Sequence, residues 1–251
     1  MPTPAFLTLA ALVGLAVGSF LNVVITRLPR DEPFWSGRSR CPHCGVTLRW
    51  RDNVPLLSFV WLKGRCRVCG ESISWRYPLV ELAGAALGAA LWARFPGDPL
   101  LLAYAPFAAA LVVLTVLDLE YYWLPDVITL PGIALGLTLS LVLPGMDGWE
   151  SFLGALLGAA FFQAIRWLYQ KITALREGTE RVGMGGGDVK LLAFIGAFLG
   201  VWALPWVVFV SAAAGSLAGL AAAWRRGQGR LTPIPYGPFL AGAALFELFW
   251  S

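Results

Sequence analysis

The chain has 251 residues, of which 58% belong to the hydrophobic class and 14% are charged. A soluble domain averages roughly 25% charged residues, so a monomeric soluble globule is excluded, and so much apolar and aromatic side chain also excludes a disordered chain. An integral membrane protein remains, and the net charge of +4 is then informative through where the basic residues sit.

A bilayer core about 30 Å thick takes roughly 20 apolar helical residues. The first 26 residues carry no charge, which places helix one at 5–26. No basic segment precedes it, so it does not read as a cleaved signal peptide. Residues 27–76 are polar and rich in arginine. Further apolar segments follow at 77–95, 99–117, 127–146 and 151–170, the last with Arg166 close enough to its end to snorkel. Leu191–Trp224 is a charge-free run too long for one crossing. Pro205 suggests a break that gives 188–204 and 205–224, and 233–250 makes the eighth segment. The expectation is an all-α polytopic membrane protein of about eight transmembrane helices.

The distribution of Lys and Arg fits this count. Ten lie in 27–76, five in 166–190 and three in 225–230, all on one side of an eight-helix arrangement, with Arg94 on the other. By the positive-inside rule that side is cytoplasmic, and both termini lie outside. No nucleic-acid partner is expected, because the basic residues are absorbed by orientation.

The four cysteines all fall in the 27–76 segment, as Cys41-Pro-His-Cys44 and Cys66-Arg-Val-Cys69, each pair followed by a glycine (Gly45, Gly70). A CxxC turn points two thiolates at one metal and the glycine permits the tight backbone that follows. Two such turns make a closed tetrahedral zinc site, structural rather than catalytic. A reducing cytoplasmic loop argues against disulfides. Redox CxxC motifs are the competing reading, disfavoured because those normally lie on a strand-to-helix turn. The segment has little core of its own, so metal would supply much of its folding free energy.

Carboxylates at span ends are costly and hence informative. Asp118 ends the third helix and Asp188, after Gly185-Gly186-Gly187, opens the sixth, both at the cytoplasmic face. Two carboxylates in close approach share a proton, so that one can act as base toward a water while the other donates. That is aspartic-protease chemistry, and the glycines Gly185 and Gly187 would let a substrate backbone approach. Helix capping by Asp188 and Asp126, with Asp118 and Glu120 as solvated loop residues, is the alternative.

Several segments then carry a family resemblance. Gly18-Ser-Phe-Leu-Asn22 through Pro29 spans the end of helix one, Asp52-Asn-Val-Pro55 lies between the cysteine pairs and Arg76-Tyr-Pro78-Leu-Val-Glu81 follows them. Asp118 through Leu124-Pro125-Asp126, Gly185-Gly-Gly-Asp188-Val-Lys190 and Pro235-Tyr-Gly237-Pro238-Phe239 follow. In this order they resemble the bacterial type IV prepilin peptidases, bifunctional leader peptidases and N-methyltransferases of the GxGD class of membrane aspartic proteases. The resemblance implies Asp118 and Asp188 as the catalytic pair, prepilins or type II secretion pseudopilins as substrates, and a bacterial inner-membrane location. Glu120 stands where the family often has an aspartate, which favours Asp118 as the catalyst. The implied organisation is 1–26 as first helix, 27–76 as zinc-binding cytoplasmic domain and 77–251 as seven-helix peptidase domain.

The resemblance also implies S-adenosylmethionine as methyl donor for the new α-amino group. No GxGxxG loop after a strand is visible, so a Rossmann-type methyltransferase is not supported, and the donor-binding residues are unassigned. The amine must lose a proton before it attacks. Glu81 is the candidate acceptor, with pairing to Arg76 as its alternative role. Lys190 reads as an interfacial anchor of helix six or as a group that tunes the aspartates. Asn22, polar inside helix one, is expected to hydrogen-bond to a neighbouring helix. Two other functions stay open: a peptidase without methyltransferase activity, and a non-catalytic membrane scaffold or transporter with a zinc module.

Overall fold

The computed structural model describes residues 3–35, 37–177, 185–226 and 234–250. The described residues are helical, with two isolated β-bridges in place of any strand. In order the helices are α1 (Pro4–Arg27), α2 (Leu57–Trp61), α3 (Arg76–Arg94), α4 (Leu101–Tyr121) and α5 (Asp126–Val142). They continue as α6 (Gly148–Glu177), α7 (Gly186–Leu199), α8 (Ala203–Arg226) and α9 (Gly237–Trp250). All but the short α2 lie at the eight expected segments. Four of them (α1, α4, α6 and α8) are long and apolar enough to cross a bilayer.

The boundaries differ from the expectation in three informative places. α4 runs on to Tyr121, so Asp118 lies inside a helix rather than at its end. α6 has 30 residues, about 45 Å at 1.5 Å per residue, because its polar C-terminal stretch continues the helix. The long apolar run does break, but at 200–202, where Gly200 takes φ +78°. Pro205 instead lies in the first turn of α8, where a missing N–H breaks no helical bond. Of the basic residues used for orientation, Arg181 and Arg230 lie outside the described residues.

The chain divides into two compact units, Met1–Leu101 and Leu102–Ser251. In the first, α1 packs on α3 through paired glycines. A Cβ on Gly18 would stand 2.7 Å from the Val80 carbonyl oxygen, and one on Gly14 would overlap the backbone of Gly84. With lipid outside, no hydrophobic force separates helix from tail, and close backbone approach supplies the packing. Asn22 Nδ2 donates to the Tyr77 carbonyl at 3.0 Å, the expected interhelical bond. Thr26 Oγ1 accepts from Arg76 Nη2 at 2.7 Å, tying the ends of the two helices together.

In the second unit α7 is the central element. Every residue from Leu191 to Phe198 is buried, the pattern of a helix surrounded on all sides. Phe107 of α4 stacks against Phe194 and Phe198. Gly132 and Gly136 of α5 leave room for those same two rings, and Gly154 and Gly158 of α6 meet the backbone of Gly196 and Leu192. α7 has 14 residues, about 21 Å of helix. Neighbouring helices, rather than lipid, cover it.

Candidate active site and metal centre

In the second unit two sequence motifs are locked together by packing. α4 closes at Tyr122, which takes φ 54° and returns its N–H to the Asp118 carbonyl at 3.0 Å. The chain then runs through Leu124 to Pro125, the N-cap of α5. Leu124 is buried against Gly187, where a Cβ would stand 2.8 Å from the leucine Cβ. The glycine therefore has a packing reason, since any side chain would push the Asp118 segment away from the Asp188 segment.

Asp118 is buried, and its Oδ2 accepts the backbone N–H of Gly237 at 2.8 Å. Gly237 opens α9, so α4 and α9 meet at this carboxylate. Asp188 is partly buried in the first turn of α7 and lies in electrostatic range of Asp118. The two aspartates thus belong to neighbouring segments of unit two, joined through the contact of Leu124 with Gly187. Asp188 is not the cap of α7. The cap position is Gly185, and Asp188 stands three residues further on. Glu120 is exposed, on a different side of α4 from buried Asp118.

Asp126 likewise does something other than capping. Its carboxylate pairs with Lys190 Nζ at 2.5 and 2.7 Å. The lysine that follows Asp188 by two residues is thereby tied to the first residue of α5, so the anchor acts between helices.

Two residues near the aspartates were not assigned from sequence. Tyr236 is in electrostatic range of Asp188, and its hydroxyl shares a hydrogen bond with Ser211 of α8 at 2.8 Å. Its position beside Gly237 in the Pro-Tyr-Gly-Pro segment was the available signal. Arg166 lies well inside α6, with Nη1 3.1 Å from where a Gly186 Cβ would be. Its Nε is buried with no hydrogen-bond partner among the described residues.

In the first unit the two cysteine pairs form matched turns. Cys41 N–H donates to Val46 O and Gly45 N–H to Cys41 O, and Cys66, Glu71 and Gly70 repeat both bonds. Gly45 and Gly70 take φ +69° and +72°, the left-handed conformation that suits glycine. The bridges Arg40–Thr47 and Arg65–Ser72 close the turns. All four Sγ atoms lie within 4.8 Å of one another. Thiolates at about 2.3 Å from a tetrahedral zinc stand about 3.8 Å apart, so this donor set could hold such an ion. The N–H groups of Cys69 and Val68 facing Cys66 pull its thiol down to about 7. Arg67, between the second pair, donates from Nε and Nη2 to Asp52 Oδ1 at 2.9 and 2.7 Å, and this holds the Asp52 carboxyl below its ordinary value.

Glu81 is buried in α3, and its Oε2 accepts the N–H of Leu56 at 2.8 Å. Leu56 takes φ 58°, ψ −48° and is bridged by a 2.7 Å bond from Leu57 N–H to Pro55 O, a γ-turn of the strained hand. The carboxylate thus secures an unfavourable backbone conformation.

Sequence comparison accounts for both units. Residues 12–95 match the model of the bacterial peptidase A24 N-terminal domain, and residues 105–220 match that of the type IV leader peptidase family. The chain belongs to the type IV leader peptidase family. It is 40% identical to a prepilin leader peptidase/N-methyltransferase of Burkholderia pseudomallei (strain 1026b), with 100% of this chain and 87% of the relative covered. Proteins of the same description from Aeromonas hydrophila (98% and 91% covered) and Dichelobacter nodosus (100% and 94% covered) are each 37% identical. No solved structure matches the chain. The family's peptidase model covers the segment that carries both aspartates, and its N-terminal domain model covers all four cysteines.

Proposed function

We propose that this membrane protein removes the leader from type IV prepilins and pseudopilins and then methylates the new N-terminal amine. The observation that carries the peptidase reading is buried Asp118, fixed by Gly237 N–H, with Asp188 beside it. One carboxylate takes a proton from a water, which attacks the carbonyl carbon of the scissile peptide bond. The other, protonated, donates to the carbonyl oxygen. Collapse of the tetrahedral adduct breaks the C–N bond, and the departing amine takes a proton. Gly185 and Gly187 leave the substrate backbone room on the Asp188 side. The substrate's hydrophobic helix lies in lipid while its basic leader stays in the cytoplasm, so the scissile bond meets the aspartates at the membrane face.

The accompanying topology is eight crossings of the bacterial inner membrane with both termini outside. Residues 27–76 form a cytoplasmic module, held by zinc on Cys41, Cys44, Cys66 and Cys69, and residues 77–251 form the peptidase domain. S-adenosylmethionine is the methyl donor and supplies an electrophilic methyl group. Glu81 is the candidate to take the amine's proton, with its second carboxylate oxygen. The deciding experiment incubates purified protein with a prepilin peptide, with and without S-adenosylmethionine, and weighs the product. Cleavage lost in Asp118→Asn and Asp188→Asn, and one added methyl in the wild type, are expected. Wild-type cleavage by either variant would overturn the dyad. An unmethylated product would leave a peptidase alone, and no cleavage at all would favour a scaffold.

A further inference from the structure

α2 presents an apolar face outward. Leu57, Val60 and Trp61 are 67%, 74% and 82% exposed, and their i, i+3, i+4 spacing puts them on one side of the helix. The rest of α2 is anchored. Ser58 Oγ donates to Val54 O at 2.7 Å, and the Phe59 ring packs 5.1 Å from Trp75 and under Gly64. Leu56, one residue before α2, is pinned by Glu81 of α3. The exposed face is thus held in place rather than loosely displayed, pinned to a residue in the second turn of α3.

Charge narrows what covers this face. Residues 27–76 contain ten Lys and Arg against four Asp and Glu, while the rest of the chain has nine against eleven. Arg49, Arg51, Lys63 and Arg65 are exposed around α2. A second copy carries the same positive charge, and a basic leader peptide is repelled by it. Exposed Trp with flanking Arg and Lys is the pattern of a segment that lies at a headgroup layer. In the proposed topology α1 and α3, which bracket the module in sequence, are both membrane helices, so the module stays close to the headgroup layer.

We propose that α2, with Leu57, Val60 and Trp61 inserted and the neighbouring basic residues on phosphate, docks the cysteine module onto an anionic lipid surface. Basic residues near such a surface are drawn to its phosphates, so anionic lipid should matter strongly.

The full chain is reconstituted in nanodiscs of phosphatidylcholine alone and of phosphatidylcholine mixed equally with phosphatidylglycerol. Amide hydrogen exchange is followed over residues 54–62. The expected result is about tenfold slower exchange with phosphatidylglycerol. The difference should be lost in high salt and in the triple variant Leu57→Ser, Val60→Ser, Trp61→Ser. Because those side chains are exposed, that variant keeps its fold, which unchanged exchange in α1 and α3 verifies. The variant Arg49→Gln, Arg51→Gln, Lys63→Gln retains the apolar face and should lose most of the lipid difference. Equal exchange in the two lipids overturns the proposal. So does protection that appears in phosphatidylcholine on adding prepilin peptide or raising protein concentration, since the face would then bind substrate or a second copy. Cleavage is not the readout, so this outcome is independent of the peptidase reading.

Discussion

The backbone N–H of Gly237 reaches Oδ2 of Asp118 at 2.8 Å although the two residues are 119 positions apart. A Cβ on Gly237 would stand 2.8 Å from that oxygen and 3.2 Å from the carboxyl carbon. Gly237→Ala is therefore expected to push the carboxylate off its position. A misplacement of about 1 Å costs on the order of 10²-fold in rate, so kcat/KM on a prepilin peptide should fall by about that factor. The thermal transition of the purified protein should change little. Wild-type kcat/KM would show that Asp118 tolerates the displacement.

The Lys190–Asp126 pair joins the helix that carries Asp188 to the segment that follows Asp118. Both side chains are substantially exposed, so the pair adds about 0–1 kcal/mol to stability. A larger effect on cleavage than on stability would mark a positioning role. Lys190→Met and Asp126→Asn should each lower kcat by about tenfold with little change in melting temperature. The exchanged pair Lys190→Asp with Asp126→Lys should recover part of the loss. Additive losses without recovery would show that the two residues act separately.

Segment positions and the cysteine cluster were legible because charge and CxxC spacing are local signals. Interhelical fits were not. The role of Gly187 depends on Leu124, and that of Gly237 on Asp118, across intervals no periodicity reports. Asp126 illustrates the limit, since after a proline it reads as a cap but in the fold it faces a lysine from another helix. The length of α6 was not legible, because the helix continues through a polar end that a hydropathy boundary truncates. The strained turn at Leu56 has no sequence signal beyond the preceding proline.

Glu81 secures the Leu56 turn and is proposed to accept the amine's proton, and substitution distinguishes the two roles. Gln at this position keeps an oxygen to accept the Leu56 N–H but cannot take a proton from an amine. Glu81→Gln should therefore lower methylation by about 10²-fold while cleavage and exchange over 54–62 stay near wild type. Glu81→Leu removes the acceptor as well and leaves a part-buried N–H unpaired, at a cost of about 1 kcal/mol. That variant should show faster exchange over the same residues. Equal methylation by Glu81→Gln and wild type would assign Glu81 to securing the turn alone.

The metal site offers a stoichiometric test. Four Sγ atoms within 4.8 Å of one another, on two turns with matching backbone hydrogen bonds, are suited to one zinc per chain, measured by elemental analysis of protein purified without added metal. Thiolate ligands must be deprotonated to bind, so acid should release the ion and neutralisation in the presence of zinc should restore it. Cys41→Ser and Cys66→Ser each remove a buried ligand and should lose the zinc. The expected structural result is faster amide exchange across 38–72, with exchange in α4 to α9 unchanged, because the turns hold little apolar core. Full protection of 38–72 in a chelator-treated, zinc-free sample would show that the matched turns and the Asp52–Arg67 pair suffice without metal.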